Sequence, residues 1–69
     1  MSYNIEKTEK KIKELFEDKN YIILNLKNGK ELIISKNSDG TYHLYEGCDL
    51  VVGDVSLLYI AYVITEIGK

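Results

Sequence analysis

Apolar residues recur along the first part of the chain at helical spacing and then switch to alternation. Ile5, Thr8, Ile12, Leu15 and Phe16 form one narrow stripe in three- and four-residue steps, which predicts a helix from Asn4 to about Lys19. Asn4 is placed to cap it, Glu6 suits its first turn, and Asn20 is placed to close it in a left-handed conformation. Glu6–Lys10, Glu9–Lys13 and Lys10–Glu14 are spaced as exposed pairs one turn apart, so the lysines read as a solvated face.

Tyr21–Leu26 is rich in β-branched and aromatic residues and predicts a strand; Glu31–Lys36 returns after an Asn28-Gly29 turn. Register follows from the apolar pattern. A two-residue loop at Asn28-Gly29 would pair Leu24 with Ile33 and mix the faces. A three-residue loop with Gly29 left-handed pairs Leu24 with Leu32 and Ile22 with Ile34, and gathers Ile22, Leu24, Leu26, Leu32 and Ile34 on one side. The same geometry at Asn37–Gly40 pairs Ile34 with Leu44 in a third strand, Thr41–Glu46, and adds Tyr42 to that side. The other side then carries Tyr21, Ile23, Ile33, His43 and Tyr45. That side is too apolar for water and calls for cover by the C-terminal segment or by another subunit.

Residues 50–67 are the ambiguous stretch. Asp54 or Ser56 is placed to cap a buried helix, but eight β-branched residues among them favour strand. The reading adopted is a short strand near Leu50–Val55, a turn at Ser56–Tyr59 and a last strand from Ile60 to Ile67. The expected fold is therefore α+β: an N-terminal helix and a strongly bent antiparallel sheet of three to five strands over residues 21–67, closing into a small Sm/SH3-like barrel. The alternative is a two-layer α-β-β-β-α fold.

Length and charge narrow the function. Sixty-nine residues allow one domain, and a chain this short is marginal alone. A single cysteine makes no internal disulfide and no zinc spacing is present, so oligomerisation or a very apolar core is the expected support. Every basic residue is a lysine; the lack of arginine weakens nucleic-acid readings, which favour the guanidinium fork. Eight of the nine lysines lie in residues 1–36. Residues 37–69 hold Lys69 against Asp39, Glu46, Asp49, Asp54 and Glu66, a field that attracts basic surfaces. No secretory signal is read at the N-terminus, and the longest apolar run, Leu57–Ile64, is far short of the ~20 residues that span a bilayer. Lone Cys48, beside Asp49, reads as an unreactive thiol of a cytoplasmic protein.

The stretch Leu26-Lys27-Asn28-Gly29-Lys30-Glu31-Leu32 resembles the first half of the first motif of the Sm-like small-barrel family, an apolar strand entering an Asn/Asp-Gly turn. Asp39 stands near the distance of that motif's aspartate and His43 in the place of its asparagine. Val52-Gly53 ahead of Leu57–Ile60 stands where the second motif has Arg-Gly; the arginine is missing. The resemblance implies a barrel and a ring-shaped homo-oligomer; RNA binding does not follow from it, because the family's arginine and much of its basic pore are absent. In size, charge and element order the chain also resembles small phage-encoded inhibitors, including anti-CRISPR proteins.

Catalytic chemistry finds little purchase. His43 is the single histidine, and a Cys48–His43 dyad would need a bulge to aim both side chains together. No phosphate loop, nucleophile elbow or metal spacing is present, and no cofactor is expected. Tyrosines are the better clue, because a ring buries area while its hydroxyl keeps a polar partner. Tyr21, Tyr59 and Tyr62 are expected to cap the core. Tyr42, His43, Tyr45, Glu46, Asp49 and Asp54 are the expected partner-binding set. The function expected is a non-enzymatic interaction module that self-associates and docks its acidic, Tyr-bearing surface on a basic protein partner, as a phage-type inhibitor of a nucleic-acid-handling protein would. The alternative is an Sm-like RNA binder.

Overall fold

The structure, a computed structural model, describes residues 5–67. Helix α1 runs over Ile5–Phe16, shorter than its sequence predicts. Glu17 takes the left-handed conformation (φ 47°) expected of Asn20. The helix stops there because Phe16 is the last stripe residue to reach the core. Asn20 already belongs to the sheet: its carbonyl accepts the Lys36 N–H at 2.8 Å. The Asn4 cap lies outside the described residues.

Strands β1 (Tyr21–Asn25), β2 (Glu31–Lys36), β3 (Tyr42–Glu46) and β4 (Asp49–Val55) form one antiparallel sheet in the order β1-β2-β3-β4. The first two registers are those the apolar pattern demands. Leu24 lies opposite Leu32, Ile22 opposite Ile34, and Ile34 opposite Leu44. Both loops hold their glycine left-handed, Gly29 at φ 88° and Gly40 at φ 90°. Gly47 (φ 61°) opens the tight β3–β4 turn, the position where a hairpin turn of type II′ requires glycine.

Residues 56–67 correct the sequence reading. The segment expected as a turn and a strand from Ile60 to Ile67 is helix α2, Leu57–Ile67. Ser56 caps it, its Oγ accepting the Tyr59 N–H at 3.2 Å and its carbonyl accepting the Ile60 N–H at 3.2 Å. Leu57, Ile60, Ala61 and Ile64 are buried, at steps of three, one and three residues, the stripe of a helix. Burying that stripe outweighs the few tenths of a kcal/mol by which each β-branched residue disfavours helix. Ser56→Ala should lower stability by about 1 kcal/mol in a denaturant melt, as the loss of a cap does.

The fold is thus α+β in two layers, with one strand more than the two-layer alternative. The sheet is open, with β1 and β4 as its edges. Helix α2 packs on α1, β3 and β4, while α1 packs on β1. Both helices lie on one face, over a core of Ile12, Phe16, Ile22, Leu32, Ile34, Leu44, Leu57, Ile60, Ala61 and Ile64. Leu24, expected among the core strand residues, is half-buried at its rim. Leu15, expected on the buried stripe, is 44 % exposed. Among the described residues nothing covers the other face of the sheet, so the C-terminal segment does not provide the cover its sequence offered.

Candidate functional site

Antiparallel pairing carries one row of side chains straight across the uncovered face. Ile23 lies opposite Ile33, Ile33 opposite Tyr45 and Tyr45 opposite Leu50, so the row spans all four strands. Ile23 is 50 % exposed and Leu50 56 %. A parallel row runs Tyr21, Ser35, His43. The His43 and Tyr45 rings stack with centroids 6.1 Å apart and planes 20° from parallel.

Two irregularities in β4 shape the end of the face near His43. Register shifts fall between Tyr42 and Leu44 and between Leu44 and Tyr45, each where β4 spends an extra residue. Asp54 sits in the first with φ 56°, a conformation aspartate tolerates better than most residues. Gly53 beside it lets the His43 ring lie on the backbone: a Cβ there would come within 3.1 Å of Cδ2 and Nε2.

Asn37, at the end of the neighbouring hairpin, ties this corner together. Its Nδ2 donates to Thr41 Oγ1 at 2.9 Å and to Asp54 Oδ1 at 3.3 Å, and lies 2.9 Å from His43 Nδ1. Asp39 accepts from the Thr41 hydroxyl at 2.6 Å and from the Thr41 N–H at 3.0 Å. The hydroxyl bond, helped by the backbone bond, holds the Asp39 carboxyl below its usual range. A lowered pKa stabilises the fold above the usual carboxylate range, and that contribution fades as pH falls through the folded-state value. In an NMR titration, Thr41→Val should return the Asp39 midpoint upward toward the ordinary value; an unmoved midpoint would refute the hydroxyl as its main cause.

The six residues singled out by sequence do not form one cluster. His43 and Tyr45 share the uncovered face, and Asp54 stands beside them through Asn37. Glu46 and Asp49 face each other across the β3–β4 turn, at the far end of β3 from His43, with Glu46 Oε2 3.8 Å from Lys30 Nζ. Tyr42 points to the helix side, its ring edge-on to Phe16 at 5.5 Å. Cys48, exposed in the turn after Glu46, lies at the opposite end of β3 from His43, so the two are not brought together as a dyad. Tyr21, Tyr59 and Tyr62, expected to cap the core, are roughly half exposed. Leu50 was missed because the bulge that pairs it with Tyr45 leaves no mark in the alternation of β4, and Asn37 because its three partners come from two hairpins.

Among the described residues no three His, Cys, Asp or Glu side chains gather as a metal site, and no helix is long and apolar enough to cross a membrane. Compared with known proteins, the chain matches no family model, no curated protein and no solved structure.

Proposed function

We propose that the chain is a non-enzymatic protein-interaction module that docks a second protein on the uncovered sheet face. The observation that carries this reading is the apolar row Ile23–Ile33–Tyr45–Leu50, exposed at both ends and half-buried in the middle, crossing the whole sheet on the side away from both helices. A contiguous apolar surface of that kind marks an interaction site. Stacked His43 and Tyr45 supply rigid rings of the type that anchors interfaces.

Charge favours a partner with an apolar patch rimmed by basic groups. Glu31 flanks the row at one end of the strands, and Asp54 and Asp39 stand at the other. None of the strand positions on this face is a lysine. A nucleic-acid-handling protein, whose phosphate-binding surface is basic, has the complementary chemistry, and occupying that surface would inhibit it. The rival reading stacks RNA bases on His43 and Tyr45. It has the rings but lacks lysines beside them to meet phosphates.

Two probes separate the readings by amide chemical-shift mapping: a Lys/Leu amphipathic peptide and an oligouridylate. The peptide should shift Ile23, Ile33, Tyr45 and Leu50 and leave α2 unmoved. Tyr45→Ala should weaken it about tenfold or more. Shifts at the same residues with the oligouridylate, or none with the peptide, would refute the protein-docking reading.

A further inference from the structure

The two edges of the sheet are unlike. Strand β4 is guarded by two register shifts and by Asp49 and Asp54. Strand β1 reads Tyr-Ile-Ile-Leu-Asn, with no charge, no proline and no break in its ladder with β2. Flat, uncharged, apolar edges are templates for another strand. We propose that β1 pairs with β1 of a second copy of this chain, antiparallel about a two-fold axis at Ile23, joining two sheets into one. The inference concerns the edge of the sheet and stands apart from the partner-docking reading of its face.

Backbone parity and the length of the strand together set the register. Leu26 N–H donates to Lys30 O and Lys36 N–H donates to Asn20 O, both at 2.8 Å. Antiparallel ladders alternate, so Asn20, Ile22, Leu24 and Leu26 turn their peptide groups toward β2. Tyr21, Ile23 and Asn25 therefore turn theirs outward. An antiparallel copy centred on Ile23 sets Tyr21 against Asn25, Ile23 against Ile23 and Asn25 against Tyr21. These are the three outward-facing residues, and each pair exchanges two hydrogen bonds. Centring on Ile22 or Leu24 keeps the same parity but matches only two outward-facing residues within the strand, leaving Asn25 or Tyr21 unpaired. The match is self-complementary, as a two-fold interface must be.

Side chains agree with the same register. On the uncovered face Ile23 meets Ile23 of the copy, so the row to Leu50 continues into its own mirror across both sheets. On the helix side Ile22 meets Leu24, which extends the core. There a groove of about 630 Å³ runs beside β1, lined by Leu15, Asp18, Lys19 and the first β1 residues. Exposed Leu15 overhangs it and finds apolar cover in the dimer. A five-residue edge buries less than the ~800 Å² per partner of a standard interface, so a weak, concentration-dependent dimer is expected.

Sedimentation equilibrium of the full chain from micromolar to about millimolar concentration should show the mass double. Over the same range the Ile23 amide, which has no partner in the single sheet, should slow its hydrogen exchange at least tenfold. Ile23→Pro removes an N–H that β2 does not use, so it should stay folded and monomeric. A chain monomeric throughout, or an Ile23 amide whose exchange ignores concentration, overturns the proposal. So does a dimer that survives Ile23→Pro yet fails in Tyr45→Asp, which would assign self-association to the sheet face. Should Ile23→Pro unfold, the exchange measurement on the unaltered chain decides.

Discussion

Leu44→Ala should lower stability by about 2–5 kcal/mol, the range for deleting a fully buried leucine. Leu44 has no exposed surface and sits mid-sheet, opposite Ile34 on one side and Val52 on the other, in the layer that α2 covers. Little nearby can collapse into the space, because backbone ladders fix both flanking strands. A domain of this size holds roughly 3–5 kcal/mol in its core, so the variant should lie near its unfolding midpoint at 25 °C. Thermal denaturation should drop by about 8 °C at the least. Leu24→Ala, at the half-buried rim, should cost under about 2 kcal/mol. Equal losses at both positions would contradict the core described above.

Ile60→Asp should be the more damaging change, at about 4 kcal/mol or more, while Tyr62→Asp should stay within about 1 kcal/mol. Ile60 is fully buried between α2 and the sheet, and among the described side chains no buried polar group is present to receive a carboxylate. Tyr62 is on the outer side of α2, its ring 6.0 Å from that of Tyr59. In a strand, residues 60 and 62 would share a face and the two substitutions would act alike. In a helix two positions are about 200° apart and the substitutions diverge. Comparing the two urea midpoints therefore tests the C-terminal helix directly, without reference to any ligand.

The contrast between the two halves of the chain shows where local pattern suffices. In β1–β3 glycine turns end short apolar runs and fix which residues lie opposite each other, and a slip of one position would turn Leu32 and Ile34 outward. Gly29 and Gly40 leave one geometry for each turn. Register was legible there for that reason. Residues 57–67 are nearly all apolar, so alternation and helical period both fit. Their β-branched content favours the wrong answer, and burial against α1 and the sheet decides. The candidate site divides in the same way. Ile23, Ile33, His43 and Tyr45 could be placed on one face by counting along strands. Leu50 and the Asn37 corner depend on the bulges in β4, which arise from pairing and have no local signature.

By itself the sequence determined an N-terminal helix, the β1–β2–β3 meander with its register, and an apolar sheet face opposite the core. Each follows from short-range chemistry: side-chain period, glycine at positive φ, and the two-fold alternation of a strand. Only the tertiary structure decided that the last segment is a helix, that it joins α1 on one side of an open sheet, and that the other side stays bare. Those outcomes depend on which apolar surface buries which, a competition between distant segments that no local window of residues contains.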